Sequence, residues 1–329
     1  MSERTELIDK VEEKTGWHVN RRRFKIVTDT SQWMEINKGD VIRIEDYEFA
    51  IRGNMREPRF GIDDQPKYWV FHAIDLGTGE QKILKTVYHE EFYAHIGILK
   101  VRCYRSQSKE SQVLDITRGD RRFMQGFTCY DEKGNNVRIL DYINGKSFFH
   151  FIPDIEKSHE EYFHEDLPRI LWKLTDSILA VQFLHVSGMC HGDIRNDHII
   201  IESGTKDYRW IDFDLKQDVR DFDLWSIGNI LSYTVGKGIR TFAAALKSSV
   251  FDDRIKKSLA HEDASAFYEY RIMNLQKLFP YIPENLGRLL RHFTIKPIGF
   301  YSDIKEFIAD YQEMLETDFP RSSIKKNDN

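Results

Sequence analysis

The sequence predicts an α+β protein of two lobes, and three observations carry that expectation. Strand-like runs crowd the stretch from about Lys38 to Tyr142, and helical periodicity takes over after Gly145. The length, 329 residues, suffices for about two cores. A sheet half followed by a helical half is the α+β layout, with the cleft between lobes as the default site.

The elements follow in order. Residues 4–15 suit a short helix, with Leu7 and Val11 four apart, and Arg21, Arg22 and Arg23 read as solvated surface. Asp40 to Arg52 mixes Val, Ile, Tyr and Phe with charges in rough alternation, as a half-buried strand does. Tyr68 to Leu76 is another such run. Gly77-Thr78-Gly79-Glu80 turns the chain, and Lys82 to Tyr88 returns as its partner. A polar helical segment spans about Ser106 to Thr117. Strands at Arg122 to Tyr130 and Asn136 to Tyr142 then flank the turn Asp131 to Asn135. One helix inserted into a five-strand antiparallel sheet accounts for this half. Beyond it, Leu167, Ile170, Leu171, Leu174, Ile178 and Val181 form a 3.6-residue stripe. Asp166 is placed to cap that helix, Pro168 sits in its first turn, and Gly188 ends it. Short strands are expected at Ile199 to Glu202 and Trp210 to Leu215, then mainly helix from Asp223 to about Leu315. Arg321 to Asn329 reads as a loose polar tail.

Composition narrows the function classes. Lys plus Arg number 48 against 53 Asp plus Glu, a formal charge of −5, which argues against nucleic-acid binding by bulk charge. No run approaches the eighteen apolar residues of a membrane-spanning helix, and the charged start MSERTELIDKVEEK lacks a signal peptide's apolar core. Three widely spaced cysteines, Cys103, Cys129 and Cys190, form no CxxC pair. A reduced, cytoplasmic protein without a zinc site or disulfide framework is the expectation.

The chemistry-bearing residues concentrate between Cys190 and Leu231. His191-Gly192-Asp193-Ile194-Arg195-Asn196-Asp197-His198 precedes Ile199-Ile200-Ile201. Ile211-Asp212-Phe213-Asp214-Leu215 and Asp223-Leu224-Trp225-Ser226-Ile227-Gly228 follow. In this order, behind a strand-rich half, the segments resemble the catalytic loop, metal-binding segment and central helix start of the protein-kinase-like superfamily. The resemblance covers roughly residues 40 to 318. It implies a bilobal protein-kinase-like fold: an N-terminal extension (1–39), an antiparallel-sheet N-lobe (40–145), a mainly helical C-lobe (146–318) and a polar tail (319–329).

Phosphoryl transfer needs carboxylates to hold metal, a cation on the moving group and a carboxylate beside the attacking hydroxyl. By resemblance, Asp193 is the base or hydroxyl-orienting residue, Arg195 neutralises charge on the γ-phosphate of ATP, and Asp212 holds Mg²⁺. Lys85 would grip the α- and β-phosphates, with Glu110 as its ion-pair partner and Glu90 and Glu91 as alternatives. Ile139 to Lys146 resembles the hinge. The Asp141 carbonyl and Ile143 amide would therefore face adenine, with Val70, Ile83 and Ile200 lining its faces.

Five departures bound the transfer of function. No GxGxxG follows the first strand. Arg52 to Gly61 stands there with two separated glycines, either a surface loop or a phosphate cover with Arg56 or Arg59 supplying charge. His198 replaces the metal-binding Asn, which points to Mn²⁺, to recruitment of Asp197, or to a hydrogen-bonded core histidine. Asp214 replaces a glycine and either adds a carboxylate near Asp212 or faces solvent. Only ten residues separate Asp212 from Asp223, too few for a long activation loop. Ile83 replaces a small alanine against adenine. These departures resemble the small-molecule branch, such as aminoglycoside phosphotransferases, although atypical bacterial-type Ser/Thr kinases fit as well. The acceptor, a small molecule or a protein hydroxyl, is left open. So is the alternative of a pseudokinase that binds nucleotide or acts as a scaffold.

Overall fold

The computed structural model describes residues 2–59, 62–96, 99–217, 219 and 222–323. The protein is mixed α+β, with a curled, antiparallel-rich sheet. The first elements are α1 (Glu3–Thr15), β1 (Ile26–Val27), β2 (Val41–Ile44), β3 (Tyr47–Arg59), β4 (Ile62–Asp75) and β5 (Gln81–Lys85). Then come β6 (Glu91–Ile96), β7 (Leu99–Arg105), α2 (Gln107–Ile116), β8 (Gly126–Tyr130) and β9 (Asn136–Asp141). The chain forms two compact units. One comprises Met1–Glu90 with Arg105–Ile143, the other Glu91–Tyr104 with Asn144–Asn329.

In the first unit the sheet has seven strands rather than five, in the order β1-β2-β3-β4-β5-β9-β8. It is antiparallel except for β1, which pairs with β2 in parallel. The run Asp40 to Arg52 is two strands, because Glu45 takes a left-handed φ of 52° and the chain doubles back. The strand expected from Arg122 begins only at Gly126. Arg52 to Arg59 is strand β3, not a loop, and Phe60 and Gly61 lie outside the described residues.

One face of this sheet packs Ile42, Ile44, Phe49, Ile51, Phe71, Ala73, Leu84, Val137 and Ile139 into a core. On the other face, α1 places Leu7, Ile8 and Val11 against Val41, Ala50 and Leu76. The helix forms where expected, with Ser2 accepting from the Thr5 N–H at its start and Gly16 (φ 69°) ending it. The first forty residues are thus tied into the unit. Asp40, nearly fully buried, accepts from the N–H groups of Lys25 and Asn37, and Asp131 accepts from both the N–H and the hydroxyl of Thr30.

The second unit adds β10 (Gly145–Ser147), α3 (Phe148–Phe151), α4 (His159–Glu165), α5 (Leu167–Val186), β11 (Ile199–Glu202), β12 (Tyr208–Trp210) and β13 (Leu215–Gln217). Next are α6 (Phe222–Val235), α7 (Phe242–Lys247), α8 (Asp253–Ser258), α9 (Glu284–Arg291) and α10 (Ile304–Asp318). Helix α5 buries the expected stripe and ends with Gly188 at φ 75°. Asp166 does not cap it. Its carboxylate takes the Lys157 ammonium at 2.6 Å, while α4 leads into α5 without an extended cap residue. The strand expected from Trp210 to Leu215 is split, with β12 ending at Trp210 and β13 joining β7 and β6 in another sheet. Val101 and Cys103 of β7 pack there with Leu215, Phe222 and Ala266. The expected tail is anchored at its start, where the Arg321 guanidinium lies over the Trp172 ring at 4.2 Å; residues 324–329 lie outside the described residues. Among the described residues no helix is long and apolar enough to cross a membrane.

Candidate functional site

In the second unit a hairpin makes the site. β11 and β12 pair antiparallel, with Ile199 opposite Trp210. The residue before β11 and those after β12 must therefore lie side by side, although fourteen positions separate His198 from Asp212. The Ile211 N–H donates to the His198 carbonyl at 3.0 Å and closes the pair. Asp212 then turns with φ 70°, a left-handed conformation that Asp adopts more readily than most residues.

His198 is 2% exposed. Its Nδ1 lies 2.7 Å from the Asp193 carbonyl oxygen, and since a carbonyl only accepts, the proton belongs on Nδ1. Nε2 faces Asp212, 3.4 Å from Oδ2, and has no hydrogen-bond partner. Ligand atoms of Asp193, His198 and Asp212 fall within 4.8 Å of one another. A divalent cation fits this set. Asp212 supplies an anionic ligand, the Asp193 carboxylate lies close enough to offset the remaining charge, and a histidine whose other nitrogen donates to a carbonyl is oriented as metal-binding histidines are. An imidazole among the donors favours Mn²⁺ or a later transition metal over Mg²⁺, which prefers oxygen alone. Asp214 is buried and brings a carboxylate oxygen within 4.8 Å of that of Asp212, so it does not face solvent.

Arg195 carries a second bond pattern. It forks onto Asp197, with Nε to Oδ1 at 3.0 Å and Nη2 to Oδ2 at 2.6 Å. Burial raises the Asp197 pKa, but its basic neighbours, with the charge and hydrogen bonds of the Arg195 guanidinium among them, outweigh this and hold the carboxyl below its ordinary value. Asp197 is therefore committed to Arg195 and is not in the metal cluster. The loop itself is held by Asp223, which is fully buried at the start of α6. Its carboxylate accepts from the N–H groups of His191 and Gly192, both at 2.7 Å, and pairs with His185 Nε2 at 2.9 Å. Gly192 has φ 87°. Sequence reasoning singled out the motif that holds Asp223 but gave this residue no role. Its signal is an acid at a helix start between apolar neighbours. Ile200 stands half-buried on β11, opposite Arg209 of β12.

In the first unit Lys85 Nζ donates to Glu110 Oε1 at 2.7 Å, and Lys85 and Glu110 are 4% and 0% exposed. Glu90 pairs instead with Arg105 and Glu91 with Arg102. A third member was not foreseen. Arg138, 1% exposed, donates Nε to Glu110 Oε2 at 3.1 Å and Nη2 to the Thr86 carbonyl. Strand register explains it, because Val70, Lys85 and Arg138 stand directly across from one another on β4, β5 and β9. His72, Ile83 and Leu140 form the next row on that face, opposite the apolar core. Val70 and Ile83 thus share a face with Lys85. Asp141 ends β9, with its N–H on the Gln125 carbonyl and its carboxylate on Lys82 at 2.8 Å. Ile143, two residues on, closes the first unit along the chain.

No protein-family model matches the chain, and no curated protein is significantly similar to it.

Proposed function

We propose that the protein is an ATP-dependent phosphotransferase of the protein-kinase-like type, transferring the γ-phosphoryl group to a hydroxyl of a small molecule or a protein. The observation that carries the reading is the Asp193–His198–Asp212 cluster with its unpartnered, buried Nε2. Its support is chemical: a phosphoryl donor arrives as a metal complex, and a fold has little use for buried carboxylates around an open nitrogen.

In this reading Asp212 and His198 hold the metal, which when bound draws charge from the donor phosphates. Asp193 steers the acceptor hydroxyl and takes its proton. Arg195, kept in plane by Asp197, neutralises charge on the transferred group. Lys85 holds the α- and β-phosphates, with Glu110 keeping its ammonium in place, and Val70, Ile83 and Ile200 meet the base beside Asp141 and Ile143.

The test is a thermal-shift titration with ATP, with and without Mn²⁺ or Mg²⁺, followed by transfer assays. Ligand at a hundred times its dissociation constant stabilises a fold by about 2.7 kcal/mol, a shift of a few degrees here. A metal-dependent shift that vanishes in Asp212→Asn supports the reading. Asp193→Ala should abolish transfer with nucleotide binding nearly intact, whereas equal loss of both would make Asp193 a metal ligand and not the base. The Arg195–Asp197 fork favours one second reading, a nucleotide-binding scaffold, since it occupies the cation that transfer requires. Metal-dependent ATP binding with no turnover on any acceptor would favour that scaffold.

A further inference from the structure

Strand β6 is an edge of the small sheet β13-β7-β6, and its outer side pairs with no strand among the described residues. Its register on β7 sets Phe92 opposite Cys103, Tyr93 opposite Arg102 and Ala94 opposite Val101. The Arg105 N–H donates to the carbonyl of Glu90, the residue directly across from it, at 3.0 Å. Antiparallel strands alternate bonded and non-bonded pairs. Phe92 and Ala94 therefore turn their N–H and C=O groups to β7, whereas Glu91, Tyr93 and His95 turn theirs outward. No described residue bonds to these outward groups. Edge strands are commonly shielded by a lysine, a proline or a bulge, and β6 carries none of the three.

The side chains leave the edge open too. Ala94 packs with Val101 and Cys103 on the core of Leu215, Phe222 and Ala266. Phe92 projects to the same face, yet it is 41% exposed. On the opposite face Tyr93 is 50% exposed, with the Lys100 ammonium 4.0 Å from its ring centre. Glu91 accepts from Arg102 at 2.8 and 2.9 Å, and His95 stands exposed at the far end of the strand. Two exposed aromatics beside unpaired backbone groups make an apolar, hydrogen-bonding rim of the kind that another strand covers.

We propose that β6 pairs antiparallel with β6 of a second copy of the chain, about a twofold axis at Tyr93. The strand is self-complementary in that register. Every outward N–H of one copy meets an outward C=O of the other. A slip of one residue would set outward groups against inward ones, and a slip of two would leave groups at an end of the strand unpaired. Glu91 falls opposite His95 of the partner subunit, and the twofold axis repeats that acid–base match at the other end. This charge complementarity selects a second copy over an arbitrary strand. On the other face the large Phe92 falls opposite the partner's Ala94, so each core is extended across the joint.

The experiment is sedimentation velocity of the full chain over a series of concentrations. Wild type shows a monomer–dimer equilibrium. Tyr93→Pro removes the central outward N–H, a group that β7 does not use, and weakens dimerisation tenfold or more while the melting temperature stays near that of wild type. His95→Glu sets acid against acid and weakens it likewise. Combining His95→Glu with Glu91→Lys restores it, which dimerisation through another surface would not do. If Tyr93→Pro unfolds, the charge series decides. A wild type that stays monomeric at the highest concentration reached overturns the proposal and leaves the edge to a strand of another protein. A dimer of unchanged affinity in His95→Glu overturns it as well.

Discussion

The two buried charge clusters follow opposite rules. Around Glu110, two cations share one carboxylate, each through a direct hydrogen bond, at three almost fully buried residues. Around His198, carboxylates surround an imidazole whose inner nitrogen is bonded and whose outer nitrogen is not. Burying an ion is costly in either case, but the first cluster meets that cost within the protein and the second leaves a donor atom over. Pairing, more than burial, separates a cluster that is closed within the fold from one with a coordinating atom to spare.

The largest effect is expected at Glu110. Glu110→Ala removes the carboxylate that Lys85 and Arg138 share in the interior and should cost about 3–5 kcal/mol in denaturant unfolding. A loss below about 1 kcal/mol would show that the cluster is not closed by this carboxylate. At the open cluster, His198→Ala should remove most of the stabilisation conferred by saturating Mn²⁺, about 2.7 kcal/mol at a hundred times the dissociation constant. His198→Asn should move the preference towards Mg²⁺, read in the same thermal-shift series.

His159 is a half-buried histidine with both nitrogens used. Nε2 donates to the Val235 carbonyl at 2.9 Å, and Nδ1 accepts from the Tyr281 hydroxyl at 2.6 Å. Desolvation first, then the charges of Arg240 and Lys237, push its pKa down to about 4 despite the Val235 bond. The folded state then binds fewer protons than the unfolded between pH 6.5 and about 4, so stability falls as pH falls through that window. The loss should reach about 2 kcal/mol after allowance for partial exposure, and His159→Gln should flatten it. The smallest effect belongs to a half-buried pair at the surface, Lys10 with Glu48 at 2.8 Å. Lys10→Ala should cost about 0.5 kcal/mol, and less at high salt.

Local patterns alone made much of the architecture legible. The stripe of α5, the turn at Gly77 to Glu80 and the helix over Gln107–Ile116 depend on spacing and turn chemistry that the chain carries within a few residues. The strand count was not legible. Glu45-Asp46 is a tight turn without Gly, Pro or Asn, and alternation runs through it unbroken, so two strands read as one. β1 is two residues long and pairs with β2 in parallel, and nothing so short announces itself.

The site divides in the same way. The sequence by itself determined which residues carry carboxylate, imidazole and ammonium groups, and their order along the chain. Only tertiary structure decided their partners. Glu110, rather than Glu90 or Glu91, meets Lys85 because α2 carries it there. Arg138 is buried because it stands across from Lys85 and shares that acid, although an arginine on a strand reads as surface. Asp223 holds the 191–192 backbone from thirty-two and thirty-one positions away, and His198 owes its open nitrogen to the Asp193 carbonyl. Periodicity and turn preference act over a few bonds and are written into the chain. The pairing and desolvation of a charge depend on groups that arrive from elsewhere in the chain.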